Sequence, residues 1–175
     1  MDRMLYIAMS AARETMHSQA ANSHNLANAT TTGFRASLDA FTSLPVSGPG
    51  HASRAYAAVE GHRADFTPGA IMATGRDLDV AVQGRGWLAV QAPDGTEGYT
   101  RAGDLRVDSN GLLTNGAGRP VLGTAGPIAI PPYETLEVAA DGTISIRPLG
   151  QGPETLAVID RVRLVDPPLE SLQSD

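Results

Sequence analysis

The histidines, at positions 17, 24, 51 and 62, are the first residues to weigh for chemistry. His17 and His24 lie seven apart, so a helix would bring them to one face, as a two-histidine cation site would need. No cysteine occurs anywhere in the chain to join them, and the pair reads as solvated or interface histidine, with no metal expected. Asp77 and Asp79 bracket Leu78 and, in a strand, would share a face as paired acids for a small hydrolase. Asp108-Ser109-Asn110-Gly111 resembles the start of a calcium loop, but lacks the alternating oxygen ligands and closing Glu that such loops use. Gly116-Ala117-Gly118 has Val121 where a dinucleotide loop needs its third glycine. No phosphate loop, nucleophile elbow or His-Glu-x-x-His pair is present. Trp87 and Tyr99 could form a stacking platform for a sugar, the one binding-module reading the residues offer. Nothing recommends an enzyme or a cofactor.

Composition narrows the classes further. The chain has 175 residues, 42% hydrophobic and 18% charged, with a net charge of −6. Residues 1–63 carry a net +1 and the remainder −7. That balance excludes nucleic acid as the main partner, because displacing counterions from phosphates needs a dense basic surface. No apolar run approaches the roughly 20 residues that cross a bilayer. The N-terminus has too short an apolar run for a secretory signal, so direct membrane insertion and cleaved-signal export are not expected. With 19 Gly and 12 Pro, part of the chain is poorly suited to regular structure.

Four segments would position these residues. Residues 1–32 contain neither Gly nor Pro and are rich in helix formers. On alternating steps of four and three, Leu5, Met9, Ala12, Met16, Gln19, Ser23 and Leu26 form one seam with coiled-coil spacing. A helix of about 25 residues would run roughly 38 Å, and alone it would be marginal in water. No second long helix is visible to cover it, so the seam is expected to pack on other chains. Residues 33–75, rich in Ala, Gly, Ser and Pro, read as an extended arm or linker. From 76 to 166 short alternating runs are separated by Asp94-Gly95, Asn110-Gly111, Asn115-Gly116 and Asp141-Gly142, pairs that suit positive-φ hairpin turns. Strands are expected at 79–83, 87–91, 98–101, 105–108, 112–114, 121–122, 128–130, 136–138, 144–147 and 156–164. The fold class is mainly β, an antiparallel sandwich or barrel-like domain with a long N-terminal helix, α+β overall. Residues 167–175 form a tail.

Three motifs then become familiar. Gln19-Ala-Ala-Asn22-Ser-His-Asn25-Leu26-Ala27-Asn28 runs into Thr32-Gly33-Phe34-Arg35. Leu78-Asp79 is followed by Ala81-Val82 and Gly84-Arg-Gly86-Trp87, then by Tyr99-Thr100-Arg101-Ala102-Gly103. In this order they resemble the bacterial flagellar rod and hook proteins over residues 1–147. Met1-Asp2-Arg3-Met4-Leu5-Tyr6 and Pro120-Val121-Leu122-Gly123 look most like the proximal rod members, with distal rod or hook-type subunits as the alternative. The resemblance implies a non-catalytic axial component of the basal-body rod, a periplasmic structure exported without a cleaved signal through the flagellum's own export apparatus. Its partners would be other copies of itself and other rod subunits. The assembly interface would use Leu5, Met9, Ala12, Met16, Gln19, Asn22, Asn25, Leu26 and Asn28. The resemblance also implies a C-terminal helix, for which the tail after residue 166 leaves no room.

Overall fold

The computed structural model describes residues 2–48, 54–152, 155–168 and 172. His51 and most of the 167–175 tail lie outside these. The chain divides into two compact units, Met1–Thr67 and Pro68–Asp175.

In the first unit, helix α1 spans Asp2–Ala27. It stops where Ala29, Thr31 and Phe34 close short backbone turns onto Leu26, Asn28 and Thr31, and Gly33 turns the chain at φ 73°. That positive φ suits glycine, which has no Cβ to clash. The segment read as an arm or linker contains two strands absent from the sequence expectation. β1 (Ser37–Pro45) pairs antiparallel with β2 (Ala55–Ala64), with a register shift at Ala40/Phe41. A bulge breaks the period-2 pattern by which strands are recognised. The ribbon is also alanine-rich, with Ala55, Ala57, Ala58 and Ala64 in β2, and alanine has little strand preference. It is held by pairing and by α1, which packs on both strands. The helix therefore has a partner within its own chain, a ribbon not expected from the sequence, while the apolar seam stays exposed. An isolated hairpin is marginal in water, and a packed helix is what such a ribbon needs.

The second unit is built from small antiparallel sheets, with no closed barrel among the described residues. β3 (Trp87–Gln91) lies between β4 (Glu97–Thr100) and the later strand β10 (Leu164–Val165). β5 (Arg106–Val107) pairs with β6 (Leu113–Thr114). β7 (Tyr133–Val138), β8 (Thr143–Pro148) and β9 (Ala157–Arg161) form a three-stranded sheet. Residues 79–83 are not a strand; Asp79 makes only an isolated bridge to Asp104. The apolar run at 156–164 is two strands, since β9 pairs with β8 and β10 with β3. Val162 between them is buried, so this crossing stitches two sheets to one core. The core is aliphatic: Leu88, Val90, Leu105, Leu113, Val121, Ile128, Ile130, Leu136, Ile144, Ile146 and Val162. Trp87 to Val90 are all buried, the mark of a strand covered on both faces.

Four of its loops repeat one design. In each, a glycine amide donates to the carbonyl three residues back: Gly95 to Ala92, Gly111 to Asp108, Gly118 to Asn115, Gly142 to Ala139. The residue just before the loop then pairs across to the residue after the glycine, as Ala139 N–H does with Thr143 O at 2.9 Å. These are three-residue loops in which a turn is followed by a left-handed glycine. The four glycines lie at φ 85°, 80°, 77° and 83°, and no other residue type adopts positive φ among those described. Hairpin turns thus stand where Asn-Gly and Asp-Gly mark them, but the positive φ falls on glycine alone. Asn and Asp keep ordinary backbone and use their side chains, and in the third loop Gly118, not Gly116, is the left-handed residue.

Those side chains carry a pH dependence. Asp108 Oδ1 accepts from the Asn110 and Leu112 amides, both at 2.8 Å. Asp94 accepts from the Thr96 hydroxyl and amide, and Asp141 from the Thr143 amide and hydroxyl. The Leu112 amide leads in lowering Asp108, the Thr96 hydroxyl in lowering Asp94, and the Thr143 amide in lowering Asp141. A carboxyl whose folded pKa is depressed adds stability above its unfolded value, near 3.9, and loses it as pH falls through the folded value. Denaturant midpoints should therefore stay level from pH 7 to about 5 and fall below about 4. Asp108→Asn, which cannot ionise, should flatten part of that acid limb; a decline beginning above pH 6 would contradict this account.

Candidate assembly surface

The helix has two opposite stripes. Ile7, Ser10, Glu14, Ser18, Ala21, Asn25 and Asn28 are half-buried. At 3.6 residues per turn these seven follow one another on a single face. The seam Leu5, Met9, Ala12, Met16, Gln19 and Leu26 falls on the other side, and every member is exposed. Leu5 and Met9 are 60% and 58% exposed, Met16 71% and Leu26 79%. Asn22 is exposed as well. The expected interface residues therefore divide: Asn25 and Asn28 lie on the half-buried stripe, the rest on bare surface. The small residues Ser10, Ser18 and Ala21, eight and three residues apart and so on one helix face, were the available sequence signal for the inner stripe. They let a helix lie close to a strand pair.

Asn25 is the joint between helix and ribbon. Its Nδ2 donates to Ser37 O at 2.8 Å, and its Oδ1 accepts from Ser37 N–H at 2.9 Å. A carboxamide carries donor and acceptor side by side, so it pairs with one residue's backbone as a neighbouring strand would. Asn28 closes the helix end instead: its Nδ2 donates to His24 O at 3.0 Å, and its Oδ1 accepts from the Thr31 hydroxyl at 3.4 Å. Phe34 meets the His24 ring edge-on at 5.6 Å. Arg35 donates to Thr67 O, and Asp65 N–H to Ala36 O, closing the base of the ribbon. Thr32 is exposed; its neighbour Thr31 makes the hydrogen bonds.

The other two motifs form a single knot. Val80 N–H donates to Gly103 O at 2.8 Å and Leu105 N–H to Leu78 O at 3.2 Å. A Cβ on Gly103 would overlap the Val80 carbonyl, so only glycine fits there. Arg101 donates to Val82 O at 3.2 Å and Gly84 O at 2.7 Å, and its guanidinium lies 5.3 Å from the Trp87 ring centroid. Thr100 Oγ1 accepts from Ala102 N–H. Gly84 sits at φ 84°, while Gly86 meets only ordinary contacts from Val82 and Val165. Leu78 packs against the core. The motif residues thus hold a backbone crossing, using hydrogen bonds and a cation over a ring.

The chemical readings are answered by the same geometry. Trp87 is 8% exposed with Arg101 over its ring, so Trp87 and Tyr99 do not present the pair of open faces a sugar platform needs. Asp79 lies beside Arg76 Nε at 3.6 Å, and its stretch is not the strand that would align it with Asp77. Among the described residues no three His, Cys, Asp or Glu side chains group as metal ligands. Among them, too, no helix is long and apolar enough to cross a membrane.

Two substitutions separate backbone strain from steric exclusion. Gly118→Ala, with open space around it, should cost about 1–2 kcal/mol for its left-handed backbone alone. Gly103→Ala should cost about 3 kcal/mol or more, because the Val80 carbonyl must move. Thermal unfolding of both variants checks the order. For the joint, Asn25→Ala should cost about 1–2 kcal/mol and speed amide exchange at Ser37, with Asn25→Asp intermediate.

Comparison with known proteins bears on the whole surface. Residues 81–146 match the domain family described as Flagellar hook protein FlgE/F/G D1 domain. Flagellar basal-body rod protein FlgF of Salmonella typhimurium and that of Escherichia coli are each 48% identical over 165 residues, covering 94% of this chain. The FlgF of Buchnera aphidicola (Schizaphis graminum) is 30% identical over 144 residues, covering 82% of this chain and 57% of its own. The chain spans 65% of the length of the Salmonella and Escherichia relatives. With the three motifs in family order and knotted as described, the chain is similar along most of its length to the bacterial flagellar rod and hook proteins.

Proposed function

We propose that this protein is a structural, non-catalytic axial subunit of the flagellar basal-body rod, of the proximal rod type, which polymerises through its N-terminal helix. The observation that carries this reading is the bare seam. Leu5, Met9, Met16 and Leu26 stand exposed on a helix whose opposite face is already engaged by its own ribbon. Fully burying one such side chain stabilises by roughly 1.5–3 kcal/mol, so four in a row favour a partner strongly. The partners are other copies of this chain and other rod subunits. Contacts between unlike surfaces propagate as open helical stacks, which is what an axial rod requires. The resemblance adds delivery to the periplasmic rod through the flagellar export apparatus, without a cleaved signal.

The test puts charge on the seam. Met9→Glu and Met16→Glu lie on exposed positions, so the unfolding midpoint should move by less than about 0.5 kcal/mol. In cells lacking the native rod gene, the same variants in the full-length gene should abolish swimming and leave the subunit absent from purified basal bodies. Normal motility with both charges in place would overturn the role assigned to the seam.

A further inference from the structure

The chain contains two Asn-Gly pairs, Asn110-Gly111 and Asn115-Gly116, which are alike as dipeptides. The structure makes them different. Asn110 is exposed at the tip of its loop, and among the described contacts its carboxamide makes one long bond, Nδ2 to Asp108 Oδ2 at 3.4 Å. Gly111 follows in the left-handed conformation with no side chain to shield its nitrogen, and its N–H is held by one turn hydrogen bond to Asp108 O at 3.1 Å, which must open first. Asn115 is 3% exposed, and its Oδ1 accepts from Ala117 N–H at 3.1 Å and Arg119 N–H at 2.9 Å. The Asp104 carboxylate backs directly onto Gly116, where a Cβ would overlap it. One carboxamide is free to rotate toward the next nitrogen, and the other is locked by two hydrogen bonds in a filled space.

We infer that Asn110 is a site of spontaneous covalent modification, deamidation through a cyclic imide, and that the fold protects Asn115 from the same reaction. Hydroxide removes the Gly111 amide proton, and that nitrogen attacks Asn110 Cγ. The new C–N bond closes a five-membered ring, the Cγ–Nδ2 bond breaks, and ammonia leaves with a proton returned by water. A second water then opens either imide carbonyl, leaving aspartate or isoaspartate at position 110. The only co-reactant is water, and no electron changes hands. The product has a local consequence. A new carboxylate arises beside Asp108, which already accepts the Asn110 and Leu112 amides. Isoaspartate also adds a methylene to the backbone of the loop, which disturbs the Asp108 N–H to Leu112 O pairing at 2.9 Å next to β5 and β6.

The full chain, incubated at mildly alkaline pH in ordinary and in heavy-oxygen water, tests this by peptide mass mapping. The peptide holding Asn110 should gain the mass of an amide-to-acid change, increased by the isotope in heavy-oxygen water. Asn115 should convert roughly tenfold or more slowly, since it reacts only when its loop opens. In strong denaturant the two should convert at similar rates, which ties the difference to the fold. Asn110→Ala should abolish the early product and leave Asn115 unchanged. Equal conversion of both residues in the folded chain would overturn the inference, as would an Asn110 that stays intact while a short Ser-Asn-Gly-Leu peptide converts.

Discussion

One helix cannot bury two opposite faces on one ribbon. That constraint governs the first unit. The stripe through Ile7, Ser10, Ser18, Ala21 and Asn25 is small and polar enough to sit closely on β1 and β2, and it leaves the apolar seam outward. The arrangement inverts the usual economy, in which a helix turns its most apolar side inward. Here the inward side is secured by geometry, above all the paired hydrogen bonds between the Asn25 carboxamide and Ser37. The outward side keeps its hydrophobic surface bare, which is the surface the proposed association would bury.

The helix was plain in the sequence because its signals are local: no Gly or Pro for 32 residues, then a β-branched run and Gly33. The seam was plain for the same reason, since helical periodicity can be read from spacing alone. The ribbon was not. Its strands are alanine-rich and bulged, and they exist because α1 and the Arg35 and Asp65 ties hold them, a tertiary cause that no window of residues displays. Asn25 was placed in the right motif, but its partner Ser37 belongs to that unseen strand. Its pairing with the Ser37 backbone therefore cannot be read from spacing alone.

In the second unit the turn positions were legible and their geometry was not. Asp-Gly and Asn-Gly marked where the chain reverses, because glycine supplies positive φ and the acceptor side chains stabilise turns. Whether such a pair forms a two-residue or a three-residue loop depends on how the flanking strands pair. Asn115-Gly116 shows the limit, since its left-handed residue is Gly118. The run at 156–164 shows another. Alternation reads as one strand until burial of Val162 and pairing to two different partners divide it.

The motifs that carry the resemblance look like candidates for chemistry, with an aspartate, an arginine, a tryptophan and several glycines close in sequence. Their placement argues otherwise. Gly103 is glycine because the Val80 carbonyl occupies the space of a side chain. Arg101 spends its guanidinium on two backbone carbonyls and the Trp87 ring, leaving no cation aimed at a ligand. A backbone crossing tied this way adds hydrogen bonds and a cation over a ring beside the domain's aliphatic core. These residue types therefore meet the requirements of a tightly tied crossing. On the axial role proposed above, the rigidity of that crossing is what the domain contributes.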